Sequence, residues 1–368
     1  MIHFLVPAAQ DIGIKDYLDV SGESLRNDIR VLHYEDLPKQ REFVPGTYVL
    51  SALDQLNPAL TKLVRVIHLQ LKQTNGVRFL NDPERTLKRF DLLTELNSRG
   101  MNDFRVARAT RDLRSLRFPV FLREERLHNG AISPLLNSER EVGHAIGQAI
   151  VQGHELHDLL IVEFCDTANE NGFYRKYGAF IVGDRVIPRS LNYGRHWMLK
   201  YAETEYTMAI VQEELKYVSE NAHQKKLLEI FRVAQVEYGR IDYAIKNGKI
   251  QTWEINLNPT IGRGLRPRSK NISAELDAVR DEVRRCFYQR FERAWRAVDL
   301  PNYPEKPIYV YLAAGLVKSA MVPDPLRGRF LKVVKTVVRP IKPLITPLTP
   351  PVLIALGWLA RRSGRKHE

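Results

Sequence analysis

Cysteine is scarce in this chain of 368 residues: it has only Cys165 and Cys286. Two thiols so far apart make neither a disulfide framework nor a paired metal motif, and such usage fits a reducing, cytosolic compartment. Long apolar runs are also missing. The stretch Val352–Ala360 spans nine residues, whereas a helix crossing a bilayer needs about twenty. Met1–Pro7 has no cationic start or cleavage site and reads as a strand rather than a signal peptide. Histidines are present without a zinc motif: Gly153-His-Glu-Leu-His-Asp158 lacks the spacing that sets two imidazoles on one helical face. Cys165 sits in an apolar strand and reads as inert core.

Acidic residues are nearly absent from one region. Between Leu326 and Glu368, ten Lys or Arg side chains face a single acid, so this tail carries +9 of the net +13. The body is close to balance, which removes most of the case for nucleic-acid binding. With 44% hydrophobic and 27% charged residues, collagenous, low-complexity and wholly disordered states are excluded.

Short apolar strands at residues 2–6 and 47–51, with a helix over 55–72 beginning at Asn57-Pro58, predict a small parallel α/β unit ending near 75. A helix over 84–98 stops at Gly100. A strand over 118–123, a helix over 139–152 and a buried strand over 159–164 follow. Tyr177–Val182 and Arg185–Arg189 flank Gly183-Asp184, a short hairpin turn. One long helix is expected over 205–235 and another over 273–297, with Leu276, Val279, Val283 and Phe287 on one face. The expected segments are 1–75, 76–165, 166–270, a helical extension over 271–325 and the basic tail 326–368.

A second hairpin carries the chemistry. Strands Arg240–Ile245 and Ile250–Leu257 meet at Lys246-Asn247-Gly248-Lys249. Alternation puts Arg240 and Asp242 on one face of the first strand, and Thr252, Glu254 and Asn256 on one face of the second. A two-residue Asn247-Gly248 turn would pair Asp242 with Trp253 and part the two polar sets. A three-residue loop with a left-handed Gly248 would pair Asp242 with Thr252 and Arg240 with Glu254. The second register is expected. It gathers two carboxylates and an amide oxygen into a hard, all-oxygen site suited to magnesium.

At these residues the chain resembles the ATP-grasp superfamily, in particular carboxylate–amine ligases of the D-alanine–D-alanine ligase type. Gly239-Arg240-Ile241-Asp242 and Glu254-Ile255-Asn256 carry the likeness, which extends over about residues 1–265. It implies an α/β (α+β) ATP-grasp fold with a small N-terminal pre-grasp domain. It also implies that Asp242, Glu254 and Asn256 hold Mg2+ and that Arg240 contacts the reacting phosphate. By the same resemblance, Lys88 and Arg123 face ATP phosphates, and Glu163, Phe164 and Asp166 lie at the adenine and ribose hinge. Lys200 is a further phosphate-side lysine. Asn258 competes with Asn256 as a ligand, and Tyr174, Arg175 and Lys176 are either substrate contacts or a polar turn. Two departures stand out: Leu127–Ser133 replaces a glycine- and serine-rich flap, and Thr260 stands where a glycine is expected.

The implied activity is ATP-dependent joining of a small-molecule or lipid-linked carboxylate to an amine, releasing ADP and phosphate. A phosphotransferase on the same fold and a non-catalytic ATP-binding scaffold are the alternatives. The tail, with five prolines between 340 and 351 and Trp358 beside Arg361 and Arg362, suits either an anionic membrane surface or docking on protein. A cytoplasmic enzyme, peripheral at the inner membrane face, is the expectation.

Overall fold

The computed structural model describes residues 1–110, 113–128, 130–199, 206–262, 273–300 and 306–321. They form two compact units, one from Met1–Arg105 with Cys165–Met321 and the other from Val106–Phe164. The fold is mixed α/β, with one parallel sheet and antiparallel sheets.

The first unit opens with four parallel strands in the order Ile29–His33, Ile2–Val6, Gly46–Leu50 and Val77–Leu80. Ile2–Val6 and Gly46–Leu50 are buried throughout, as expected of strands covered on both faces. The last strand lies beyond the boundary expected near residue 75. The helix Pro58–Leu71 starts where the sequence placed it: the Asn57 side chain accepts from the Leu60 N–H at 2.8 Å and Pro58 takes the first turn.

The larger sheet of this unit is antiparallel, in the order Arg185–Gly194, Tyr174–Val182, Tyr238–Lys246, Lys249–Asn256. Asn81 joins the two sheets. Its amide donates to the carbonyls of Leu50 and Tyr238, and its oxygen accepts from the N–H groups of Glu237 and Tyr238.

The long helix expected over 205–235 is two helices, Met208–Glu220 and Gln224–Ala234. Asn221 breaks it by adopting a left-handed φ of 53°, a conformation asparagine tolerates, while its amide donates to the Val186 carbonyl at 2.9 Å. The helix Ala274–Val298 buries Leu276, Val283, Phe287, Phe291 and Trp295. A short antiparallel pair, Ile308–Tyr309 with Glu42–Phe43, and the helix Ala314–Met321 were not foreseen. Their apolar residues pack on the Pro58–Leu71 helix rather than forming a separate body.

The second unit has three antiparallel strands, in the order Val106–Arg108, Leu159–Glu163, Val120–Glu124. Helix Glu139–Val151 covers them through Val142 and Ala145 and is capped by Ser138. No helix among the described residues is long and apolar enough to cross a membrane. The basic tail 326–368 and its expected membrane contact lie outside the described residues.

Candidate functional site

The hairpin Tyr238–Lys246 and Lys249–Asn256 turns through two residues, Asn247 at φ 49° and Gly248 at φ 74°. Lys246 pairs with Lys249, so the expected three-residue loop is not formed. Left alone, that turn would set Asp242 against Trp253. Instead the ladder shifts by one residue between Asp242 and Tyr243, with Trp253 as the extra residue. Beyond this bulge Asp242 pairs with Glu254 and Arg240 with Asn256, not Asp242 with Thr252 or Arg240 with Glu254. The polar residues share a face as expected, through a bulge in the strand rather than in the turn.

Neighbouring residues hold the bulge in place. Trp253 stacks on Phe104 with ring centroids 4.9 Å apart. The Asn102 side chain brackets Thr252, donating to its carbonyl at 3.0 Å and accepting from its N–H at 2.9 Å, as a partner strand would. Asp103 and Gln251 exchange two hydrogen bonds at 2.8 Å, and Lys249 adds an ion pair to Asp103. This clamp directly follows the helix Arg89–Ser98, which stops at Gly100 with φ 67°. At its other end, the same helix carries Arg89 to Glu254 at 2.7 Å.

Asp242, Glu254 and Asn256 are all buried. Arg240 donates to both oxygens of Asp242, at 2.9 and 3.4 Å. Burial works against the Arg240 charge, but Asp242 beside it and Glu254 behind outweigh that and hold its pKa above the usual value. Lys176 Nζ lies 3.5 Å from Asp242 Oδ2. The Asn256 oxygen accepts from the Asn258 N–H at 2.8 Å, and the Asn258 amide turns away to Gln10.

Beneath this face runs a buried hydrogen-bonded chain. His223 Nδ1 lies 2.7 Å from the Tyr243 hydroxyl, which donates to the Tyr217 hydroxyl, which in turn donates to the Gly178 carbonyl. Gly178 is the direct sheet neighbour of Asp242.

Lys88 is exposed at the start of its helix, and its neighbour Arg89 is the residue that meets the carboxylate cluster. Arg123 and Glu163 are buried in the second unit. Glu163 accepts from the Arg117 backbone N–H at 2.7 Å and from its guanidinium at 2.9 Å. The Phe164 N–H donates to the Pro119 carbonyl. Asp166 is exposed, and its carboxylate raises the Tyr174 phenol to about 12 together with burial, the larger cause. Lys200 lies outside the described residues, as does Asn129 of the segment replacing the flap. Cys165 is buried, His157 is exposed and His154 pairs with Glu124.

Sequence reasoning missed Arg89 and Gly178, and left Lys176 open. Alternation along Tyr174–Val182 puts Lys176 and Gly178 on one face, a signal that only the pairing of Gly178 with Asp242 makes meaningful.

No family model matches the chain, and no curated protein sequence matches it. Among solved structures, its fold resembles ATP-grasp ligases. The D-alanine–D-alanine ligase from Bacillus anthracis is 14% identical, over 79% of this chain and 98% of that one, with a TM-score of 0.44. The corresponding enzyme from Coxiella burnetii is 12% identical over 81% and 96%, with a TM-score of 0.43. The ATP-grasp ligase PsnB, in complex with minimal precursor, Mg and ADP, is 12% identical over 77% and 98%, also at 0.43.

Proposed function

We propose that the protein is a magnesium- and ATP-dependent ligase of the ATP-grasp type, joining a carboxylate to an amine through an acyl phosphate. One observation carries this reading: the bulge at Trp253 brings Asp242, Glu254 and Asn256 onto one buried face beside Arg240.

The donor set fits magnesium, being two carboxylates and an amide oxygen with no nitrogen or sulfur ligand. Asp242, Glu254 and Asn256 would hold the ion, which supplies neutralisation of phosphate charge when bound. Three cations, Arg89, Lys176 and Arg240, surround the two carboxylates. Their summed charge disfavours a bare dication and favours one that arrives with a triphosphate.

In the first step an oxygen of the substrate carboxylate attacks the γ-phosphorus, and the bond to ADP breaks. Arg240 offsets charge on the transferring group, a role its tie to Asp242 pre-organises. The amine then attacks the acyl carbon, phosphate leaves and the nitrogen gives up a proton. No side-chain nucleophile is needed; positioning and electrostatics do the work. Nucleotide contacts by Lys88, Arg123, Glu163, Phe164 and Asp166, and a phosphate contact by Lys200, belong to the same proposal. The two free cysteines accord with a cytoplasmic setting.

Phosphorus NMR with magnesium-ATP and mixed carboxylates and amines tests the reading, with Asp242→Asn as control. Release of ADP and free phosphate that needs both substrates, and is lost in the variant, is expected. A stable phosphate ester would make the protein a phosphotransferase instead. Binding of magnesium-ATP with no turnover in any mixture would leave a non-catalytic scaffold.

A further inference from the structure

Across the larger sheet, register places Ser190, Gly178, Asp242 and Glu254 in one row on one face, each paired with the next. Asn192 pairs with Lys176 in the adjoining row on the same face. Half of this row is accounted for by the carboxylates above, but the half on the outer two strands is not.

Three features mark that outer half. Gly178 puts no side chain in the middle of the row: a side-chain carbon there would stand 2.9 Å from Ser190 Oγ and 3.8 Å from both Arg240 Cδ and Asp242 Oδ1. Asn192 is only 7% exposed; its amide bonds to no other described residue and still reaches solvent. Lys176 is half-buried beside them, with its ammonium 3.5 Å from Asp242. A hydroxyl, an amide and an ammonium around bare backbone are donors in search of an oxyanion. The extra residue Arg189, a bulge between Pro188 and Ser190, keeps Ser190 in register with Gly178. Its guanidinium lies 4.6 Å from the centre of the Phe287 ring, a ring that packs on Phe180 two residues from Gly178.

We infer that Ser190, Asn192 and Lys176 form the seat of the acceptor carboxylate, over Gly178. The inference rests on the ligase reading and names the part of it that receives the acid. Adjacent strands lie about 4.8 Å apart. A carboxylate seated over Gly178 is thus one strand spacing from Asp242, close enough for its inner oxygen to approach a phosphoryl group held over the metal residues. Recognition here is of the carboxylate end alone, so the seat selects acids whose carboxylate is sterically free, and it holds the same end of the acyl phosphate.

Acetyl phosphate, a small acyl phosphate, is the probe. Its binding to the full-length protein already saturated with Mg-ADP is measured by calorimetry, in the wild type and in Asn192→Leu and Ser190→Ala. Neither substitution touches the metal residues, and each variant's Mg-ADP affinity and melting temperature report whether it has folded. The wild type should bind acetyl phosphate, and Asn192→Leu should weaken that by about tenfold or more with Mg-ADP affinity unchanged. Ser190→Ala should lose less. Asn192→Asp, which puts a negative charge in the seat, should abolish binding. If the wild type binds Mg-ADP but not acetyl phosphate, or if both are unaffected in Asn192→Leu, the seat is wrong and the ligase reading stands. If Mg-ADP itself fails to bind, the ligase reading falls.

Discussion

Arg89 donates to Glu254 at 2.7 Å, with side-chain exposures of only 4% and 11%. The pair fixes a carboxylate that the strand alone would leave free to rotate, and it ties the helix Arg89–Ser98 to the hairpin that the helix's own exit clamps at Asn102 and Asp103.

Breaking that pair from one side strands a buried charge. Arg89→Met should destabilise the protein by about 3–5 kcal/mol in denaturant unfolding. Arg89→Met combined with Glu254→Leu should cost much less than the sum of the two single changes. Additive costs would show that the pair is not coupled.

Magnesium alone should bind weakly, because three cations already attend the two carboxylates. Titration in the presence of ADP should tighten magnesium binding by about tenfold or more, as expected when two ligands bind a shared site favourably. Equal affinity with and without nucleotide would place the ion elsewhere.

Tyr217 accepts from Tyr243 and donates to the Gly178 carbonyl, all within the core. Tyr217→Phe removes this side-chain donor from the carbonyl. A loss of about 1–3 kcal/mol in stability is expected, with a rise in KM for the acid because Gly178 floors its seat. Unchanged stability would mean the chain of hydroxyls contributes nothing.

His3 is buried, which pushes its pKa down to about 4 against the Pro45 backbone hydrogen bond. The unfolded chain therefore binds the proton first, and stability is lost as pH falls from about 6.5 toward 4. Below that window the loss amounts to about 3 kcal/mol. His3→Gln should flatten the stability profile between these two pH values, and an unchanged slope would assign it to other groups.

Much of the antiparallel hairpin was legible because its signals are local. Asn247-Gly248 marks a turn, alternation sorts polar from apolar residues, and Asp242, Glu254 and Asn256 carry the chemistry in their types. The turn length misled. A two-residue turn looked incompatible with a shared polar face, since nothing local shows that Trp253 is the residue to be looped out. That depends on Phe104 and Asn102, about 150 residues earlier in the chain. The break at Asn221 was hidden for a similar reason: helical periodicity runs across it, and the Val186 carbonyl that rewards the left-handed turn comes from a distant strand.

The sequence by itself determined the local elements and the donor atoms: parallel strands from unbroken apolar runs, a capped helix at Asn57-Pro58, and an all-oxygen set within one hairpin. The tertiary structure alone decided which of those atoms meet. It made Arg89 the partner of Glu254, set Gly178 beside Asp242, and turned Lys176 and Asn192 onto the same face. Such choices follow from cross-strand register and packing between residues far apart in the chain, and alternation within one strand leaves them open.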